Sequence, residues 1–263
     1  MIDLILRTCE NSQLENNVSQ EHQRICGSNR SQMVFACVRS LVAAIQQCEM
    51  PAKLTVLDDR SSSDFLNQLS DIVSAVDHNI VHVQTPDGVA SQNHSAHQQF
   101  LQAAHCENLV YTVEDDYLHD PDALNEMLQA YHYFGQRFPA DEILIFPFDC
   151  PFRYEPGREQ PAYLFHSGVR YWRTVSHTTY TIFGHAQTFY KHRDVFEKLA
   201  LGYPQENEDS TINQLYKRAL NPDAPVAVFN PIPSLAYHLS YAEPPQIASS
   251  ATDWRQLWDT YQK

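Results

Sequence analysis

The sequence predicts an α/β fold: a mostly parallel, Rossmann-like sheet flanked by helices, built as a single domain. Two observations support this class. Apolar runs of strand length alternate with amphipathic segments of helix length through the first 146 residues, and this order produces a parallel sheet with helices on both faces. The chain has 263 residues, of which 43% are hydrophobic, enough to fill the core of one large domain.

The elements of this first part follow from the spacing of apolar residues. Strands are predicted at Ile2–Leu6, Lys53–Leu57, Ile80–Val83, Leu109–Val113 and Ile143–Phe146. Helices, with apolar residues three and four positions apart, are predicted at Gln32–Cys48, Asp64–Val76, Ser91–His105 and from Asp120 to about Phe134. We expect Asp120 to be the N-cap of the last helix and Pro121 its first residue.

The pattern changes after Pro147. Residues 150–171 are rich in proline, arginine and aromatic residues without a clear period, which is typical of a loop over a site. Beyond it, helices are predicted at Asp194–Leu201, Asp209–Leu220 and Trp254–Tyr261, and short strands at Pro225–Phe229 and Ser234–His238.

Composition and missing motifs exclude several classes of protein. The formal net charge of −14 argues against a nucleic-acid partner, because such proteins need a basic surface. With only 7 glycines, the sequence contains no GxGxxG, GxxxxGK[ST] or GxSxG motif, and HExxH is missing too. Dinucleotide-dependent dehydrogenases, P-loop enzymes and elbow-type serine hydrolases are therefore disfavoured.

The sequence also predicts a cytoplasmic protein. Its longest apolar stretches are far too short for a transmembrane segment, and the first residues resemble a strand without the basic start of a signal peptide. The 6 cysteines show no CxxC pairing, which favours reduced thiols, with a disulfide or a zinc site as the alternative.

Polar residues follow three of the predicted strands. Arg7 and Thr8 follow the first strand, Asp58 and Asp59 the second, and Glu114–Asp116 the fourth. Ligands of doubly wound sheets bind beyond the carboxyl ends of the strands. We therefore expect these residues to converge on one cleft.

Glu114, Asp115 and Asp116 are three consecutive carboxylates, which repel one another unless cations or hydrogen-bond donors offset their charge. A hard divalent cation such as Mn²⁺ or Mg²⁺ is a natural partner, and it would also bind a diphosphate. The alternative is a solvated acidic turn before a helix, where negative charge is favourable.

Asp58 and Asp59 suit a nucleoside, because a carboxylate at this position accepts a hydrogen bond from a uracil N–H or a ribose hydroxyl. The alternative is a turn that caps the next helix, with Ser63 or Asp64 as the cap. One residue can cap while its neighbour binds, so both interpretations stay open.

The segment Asp58–Asp64 resembles the acidic, serine-rich turn after the second strand in family 2 glycosyltransferases. Glu114–Tyr117 resembles their DxD motif, in the Glu-Asp-Asp form of the animal N-acetylglucosaminyltransferase I group. The resemblance implies the A-type glycosyltransferase fold, with a nucleotide-sugar-binding half at residues 1–135 and an acceptor-binding and catalytic-base half at 136–263. It covers the first half well and the second loosely.

The resemblance also implies roles for single residues of the donor site. Asp116 would bind the metal directly, and Asp115 would touch the ribose or sugar of the donor. Asp58 or Asp59 would hold the base, and Asn93 would keep a donor contact. His238 would supply a late ligand to the metal or the diphosphate, the alternative being an ordinary core or surface histidine.

The resembling families place a carboxylate base on a helix of the second half, in a motif that ends Glu-Asp. Asp209 is our first choice for this base and Glu208 the second, and mutual repulsion with Glu206 should raise the pKa of at least one of these carboxyls. The alternative is ordinary acidic enrichment at a helix start.

The segment Tyr171–Tyr180, with aromatic, hydroxyl and cationic side chains, suits a sugar or acceptor, although aromatic packing under a loop explains it nearly as well.

Together these features predict a metal-dependent, inverting glycosyltransferase. It would take a sugar from a nucleotide-diphosphate donor, most simply a UDP-sugar, and pass it to a saccharide or other hydroxyl acceptor. Two alternatives remain. One is a nucleotidyltransferase of related fold, disfavoured because the glycine- and basic-rich loop after the first strand is missing. The other is a non-catalytic glycan- or metal-binding domain, in which Glu208 and Asp209 would lie far from Asp116.

Overall fold

The computed structural model describes residues 1–10, 29–86, 91–157, 160–202, 205–217, 222–239 and 252–263. The strands are β1 Ile2–Thr8, β2 Ala52–Asp59, β3 His78–Val83, β4 Leu109–Glu114, β5 Tyr117–His119, β6 Glu142–Ile145, β7 Leu164–His166, β8 Tyr171–Thr174, β9 Ile182–His185, β10 Val226–Ile232 and β11 Ala236–His238. The α-helices are α1 Arg30–Gln47, α2 Ser63–Val73, α3 Ser91–His105, α4 Ala123–Arg137, α5 Ala186–Lys191, α6 Arg193–Gly202 and α7 Trp254–Tyr261, and short 3₁₀ turns occupy Pro151–Tyr154 and Ile212–Leu215.

Nine of these strands form one sheet in the order β3-β2-β1-β4-β9-β6-β10-β8-β7, and β11 and β5 form a separate antiparallel pair. In the large sheet, all strands except β8 and β9 run in the same direction. The predicted class, a mostly parallel sheet flanked by helices, is confirmed. The expectation of consecutive parallel strands fails at β9, which lies antiparallel between β4 and β6.

Both faces of the sheet are covered by helices, and the inner strands β1, β4 and β6 are mostly buried on both sides. Helices α1, α2 and α4 cover one face, and α3, α5 and α6 pack on the other. In α2, Phe65, Leu69 and Val73 recur every four residues and are buried. Ser62 caps this helix by accepting from the Phe65 N–H. The cap predicted at Ser63 or Asp64 therefore lies one or two residues too late in the sequence.

The predicted start of α4 was wrong. The helix begins at Ala123, and the Asp120 side chain instead accepts from the backbone N–H of Asp122. The reason is β5, which pairs with β11 and keeps the chain extended as far as His119. The cap signal at Asp120 therefore belongs to a turn that connects strand and helix.

The predicted helix at Asp209–Leu220 is also not formed within the described residues. Only a 3₁₀ turn is present, and residues 218–220 lie outside the described ranges. Asn207 accepts from the Ser210 N–H, and the Thr211 hydroxyl donates to the Asn207 carbonyl. Such side-chain bonds compete with a helix for the backbone groups.

The segment predicted as a loop, residues 150–171, contains β7 and the first residue of β8. The sequence also did not predict β5, β9 or α5.

Within the described ranges, no helix is long and apolar enough to cross a membrane.

Candidate functional site

The chain order of the sheet reverses at β1, which lies between β2 and β4. In doubly wound sheets a crevice opens at such a point, beyond the carboxyl ends of the strands. The register puts Thr8 beside Asp58 and Arg7 beside Glu114. The structure therefore brings the polar ends of β1, β2 and β4 together at one edge, which we call the switch edge.

Arg7 and Glu114 form the first ion pair of the switch edge. Arg7 Nη2 lies 2.7 Å from Glu114 Oε1, and both side chains are largely buried. The Thr181 hydroxyl donates to Glu114 Oε2 at 3.3 Å, and the Arg7 guanidinium stands 4.9 Å from the centre of the Tyr180 ring. The fold itself thus neutralises and orients this carboxylate.

Asp115 forms the second pair with Arg30, the first residue of α1. Arg30 Nη2 lies 2.6 Å from each carboxylate oxygen, and the Cys9 N–H donates to Oδ2 at 3.1 Å. Burial raises the pKa of Asp115, and the charge of Arg30 opposes this rise. Burial alone would lower the pKa of Arg30, but the charges of Asp115 and Asp116 raise it overall. A donor ribose would have to share the Asp115 oxygens with Arg30.

Asp116 forms the third pair with His238. The antiparallel β5–β11 pair sets His238 opposite Tyr117, and His238 Nε2 lies 2.7 Å from Asp116 Oδ2. The Tyr117 ring stacks on the imidazole with centroids 4.6 Å apart and an angle of 15° between the planes. Asp116 and His238 are far apart in the sequence, and the pairing of β5 with β11 brings them into contact.

The three consecutive carboxylates therefore do not share one cation. Each has its own basic partner: Arg7, Arg30 or His238. Repulsion within the triplet therefore does not by itself require a divalent ion, because two of the three charges are offset by arginines. Only Asp116, paired with an imidazole that can also ligate a metal, keeps a donor set suited to one.

The number of side-chain ligands decides how well Asp116 and His238 fit Mn²⁺ or Mg²⁺. Within the described part of the chain, no group of three or more His, Cys, Asp or Glu side chains is arranged to hold a metal ion. Asp116 and His238 would thus contribute two ligands at most. Mg²⁺ keeps several waters and binds one or two carboxylates together with substrate phosphates, so Asp116 suits it, whereas the imidazole of His238 is a ligand for transition-metal ions. The two residues fit a cation that arrives with a diphosphate.

Asp58 and Asp59 are both buried at the end of β2. The hydroxyls of Thr8 and Ser61 donate to Asp58 Oδ1 at 2.9 and 2.6 Å, and the Ser61 N–H donates to Oδ2 at 3.1 Å. Asp59 accepts from the Thr85 hydroxyl at 2.9 Å and from Arg60 Nε at 3.0 Å. These bonds order the turn after β2, as the turn interpretation predicted.

Asn93 lies in the first turn of α3 and is buried. Its Nδ2 is 3.5 Å from the Leu201 carbonyl of α6. The contact joins two helices on one face of the sheet, and a donor contact of Asn93 stays a prediction.

Asp209 lies in the turn before the second 3₁₀ segment, and its side chain is 80% exposed. Asn213 Nδ2 donates to Asp209 Oδ1 at 2.9 Å, and His177 Nδ1 lies 3.7 Å from the same oxygen. Burial lowers the pKa of His177, and the charge of Arg153 lowers it further. Glu208 is half-buried, and its charge raises the pKa of Tyr216, although burial is the larger cause.

The expected mutual repulsion is not seen at Glu206, whose pKa is lowered, first by the Ser210 hydroxyl and then by Lys198.

The segment His177–Thr181 connects Asp209 to the switch edge. His177 contacts Asp209, the Thr179 hydroxyl is 2.8 Å from the Tyr117 hydroxyl, and Thr181 contacts Glu114. Four residues of extended chain span at most about 14 Å. This segment therefore connects Asp209 with the carboxylates of β4 through a backbone path of at most about 14 Å.

Sequence reasoning missed Arg30, and it included His177 only as part of the segment Tyr171–Tyr180, without a role of its own. Arg30 opens a helix and His177 lies in a segment without regular structure, so neither follows a predicted strand. A usable signal for Arg30 existed: Asn29 caps α1, and the start of a helix that follows β1 must lie near the carboxyl end of β1.

The sequence matches no protein-family model and no curated protein. Solved structures with a similar backbone include TarS of S. aureus, at 14% identity and a TM-score of 0.48, over 87% of this chain and 36% of that one. They also include the glycosyltransferase GlyE of Streptococcus pneumoniae TIGR4, at 10% identity and a TM-score of 0.49, over 99% of this chain and 59% of GlyE.

A third, assigned as a glucose-1-phosphate thymidylyltransferase of Bacillus anthracis, aligns at 7% identity and a TM-score of 0.48 over 100% of this chain and 96% of that one. The chain thus spans less than two thirds of TarS and of GlyE. These are likenesses of backbone alone.

Proposed function

We propose that this chain is a metal-dependent glycosyltransferase that uses a nucleotide-diphosphate sugar, most simply a UDP-sugar. The observation that carries the proposal is the Asp116–His238 pair at the point where the order of the strands reverses. A carboxylate and an imidazole in contact, beside a crevice of this kind, suit a cation bound to a diphosphate.

In this proposal the switch edge binds the donor. Asp58 and Asp59 lie at the end of β2, where a carboxylate accepts from the N3–H of uracil. Thr8 and Arg7 lie beside them at the end of β1. Mn²⁺ or Mg²⁺, held by Asp116 and His238, would offset negative charge on the leaving diphosphate. Glu114 and Asp115 act through their arginines, which fix the end of β4.

The proposed base is Asp209, with Glu208 as the second choice. The oxygen of the acceptor hydroxyl forms a bond to the anomeric carbon, the bond from that carbon to the diphosphate oxygen breaks, and the hydroxyl proton goes to Asp209. A single displacement of this kind inverts the anomeric configuration. The exposure of Asp209 supports the assignment, since an acceptor can reach its carboxylate.

The test is hydrolysis and transfer with a panel of nucleotide sugars in the presence of manganese. We expect slow hydrolysis of one UDP-sugar that stops in chelator, and a product of inverted configuration by the anomeric NMR coupling. Release of pyrophosphate from a nucleoside triphosphate and a sugar 1-phosphate would instead identify a nucleotidyltransferase. Metal-dependent nucleotide binding without turnover of any donor would support the alternative of a non-catalytic binding domain. A cytoplasmic location stays a prediction.

A further inference from the structure

The described residues enclose a cavity of about 380 Å³ away from the switch edge. It lies between the C-terminal end of α4, strands β8 and β10, and the segment around residues 160–163. None of the carboxylates Asp58, Asp59 or Glu114–Asp116 lines it. Its volume is within the range that small-molecule sites in proteins occupy.

The lining of this cavity combines aromatic rings with positive charge. The rings are those of Phe138, Tyr163, Phe165 and Phe229. Three basic side chains and one carboxylate also line it: Arg153, Arg173, Lys217 and Asp141. In a chain whose net charge is −14, a concave surface with an excess of positive charge is a local exception that favours an anionic ligand.

Two of these cations are already paired. Lys217 forms an ion pair with Asp141, and Arg173 pairs with Asp149, which lies outside the lining. Arg173 also donates from Nε to Asn230 at 3.1 Å. Their charges are therefore largely committed to the fold.

Arg153 differs from the other two. One of its nitrogens donates to the His177 carbonyl at 2.7 Å, but within the described ranges it pairs with no carboxylate and its buried Nε has no hydrogen-bond partner. Burial, and then the neighbouring charge of Arg173, lower the pKa of Arg153 to about 10. Because Arg153 lines the cavity and has no ion-pair partner within the described ranges, its guanidinium suits a charge-assisted hydrogen bond with an oxyanion there.

The cavity is also close to the proposed base. Ser176 lines it, and His177, the next residue, binds Arg153 through its carbonyl and contacts Asp209 through its ring. Asp209 itself does not line the cavity, but a single residue, His177, connects it to Arg153.

We propose that this cavity binds the acceptor through an oxyanion, a carboxylate or a phosphate carried by a saccharide, with Arg153 as the residue that recognises it. That the ligand is the acceptor rests on the proposed function, whereas the preference for an oxyanion rests on the cavity alone. The aromatic rings would pack against the sugar or its aglycone.

The test compares three probes with the same p-nitrophenyl β-glycoside scaffold by calorimetry, without donor or metal: p-nitrophenyl β-glucuronide, the 6-phosphate of p-nitrophenyl β-glucoside, and neutral p-nitrophenyl β-glucoside. We expect at least one of the two anionic probes to bind about tenfold to a hundredfold more tightly than the neutral one, as a charge-assisted hydrogen bond would give. The two anionic probes distinguish a carboxylate from a phosphate. Equal binding of all three would overturn the proposal, whatever the variants do.

Arg153→Gln should reduce the affinity for the preferred anionic probe to that for the neutral one, with UDP affinity unchanged. Arg193→Gln is the matched control, because Arg193 is exposed and lies outside the cavity. Unchanged anion binding in Arg153→Gln, or displacement of the probe by UDP, would contradict the assignment. If no nucleotide sugar is turned over but Arg153 still selects the anion, the proposed function fails and the cavity site stands.

Discussion

The two acidic regions of this chain differ in how their carboxylates are held. At the switch edge, Asp58, Asp59 and Asp115 are buried and their oxygens accept hydrogen bonds from the protein. In the second region, Asp209 lies in a turn and is largely exposed. Buried, paired carboxylates fix geometry before any ligand arrives, whereas an exposed carboxylate can exchange protons with an incoming hydroxyl. In the proposed function, this difference corresponds to a division between positioning and proton transfer.

The largest effect is expected at Asp116. Asp116→Ala should abolish metal-dependent nucleotide binding, because it removes the carboxylate of the proposed metal pair while leaving the arginine pairs of Glu114 and Asp115 intact. Calorimetry with UDP and manganese measures this loss, with and without chelator. The control is Asp122→Ala, an exposed residue whose side chain makes no cap bond. Unchanged nucleotide affinity in Asp116→Ala would remove metal binding from the switch edge.

Asp209→Asn tests the other side of the comparison. Loss of a positioned base typically costs about a hundredfold to ten-thousandfold in rate, and donor affinity should stay the same because the base faces the acceptor. Initial rates and UDP binding are measured on the same preparation. Near-normal turnover would move the role to Glu208, for which Glu208→Gln is the direct test.

Arg30→Met tests whether the ion pair between Arg30 and Asp115 stabilises the fold. Removing one partner of a buried ion pair costs about 3–5 kcal/mol, because the other charge stays buried. Arg193→Met is the control, since Arg193 and Asp194 are exposed and such pairs contribute about 0–1 kcal/mol. Urea unfolding gives both values. A loss below about 1 kcal/mol in Arg30→Met would mean that Asp115 does not need this partner for stability.

His119, fully buried below the switch edge, gives a test by pH. Its pKa is lowered by burial to about 3 from an ordinary value of 6.5, so the unfolded chain binds a proton that the folded chain does not. The stability that this difference contributes is complete above pH 6.5 and is lost as pH falls toward 3. Between pH 8 and pH 5 the loss is about 2 kcal/mol.

His119→Gln should flatten this dependence, because glutamine does not titrate. The glutamine can still form a hydrogen bond with the Tyr111 hydroxyl, which lies 2.8 Å from His119 Nε2. His132→Gln, at an exposed position, should leave it as in the native chain. Identical pH profiles of the free energy of unfolding for His119→Gln and the native chain would show that His119 does not titrate in this way.

The smallest expected effect concerns the base of the nucleotide. UDP should bind about tenfold more tightly than CDP, because uracil N3–H donates to a carboxylate and cytosine has no donor at that position. Asp58→Asn or Asp59→Asn should bring the two affinities together, and Asp64→Asn, exposed in the same segment, should not. Competition of CDP as strong as that of UDP would contradict the assignment.

The sequence predicted the fold well where local signals agree with the sheet. Helix Ser91–His105 and helix Trp254–Tyr261 have the predicted bounds, and the four parallel strands β1 to β4 follow apolar runs. It failed where pairing partners are distant, as at β5, which depends on β11. Three-residue strands of this kind have no period of their own to detect.

For the candidate site, the rule of strand ends identified Arg7, Asp58 and Glu114, because register alone determines that neighbouring strand ends meet. It could not identify Arg30 or His177, whose contacts depend on how a helix start and an irregular segment fold back. It also placed a helix after Asp209, since the side-chain bonds of Asn207 and Thr211 are not visible as a pattern of apolar residues.

The position of β9 has a consequence for synthesis of this chain. It pairs with β4 on one side and with β6 on the other, although it follows both in sequence. On the ribosome, the outer edge of β4 therefore stays open until Ile182–His185 has emerged, which takes several seconds at about 5 to 20 residues per second. An open edge can pair with another chain. The sheet thus reaches its full strand order only after β9 has been synthesised, and until then the edge of β4 is open to other chains.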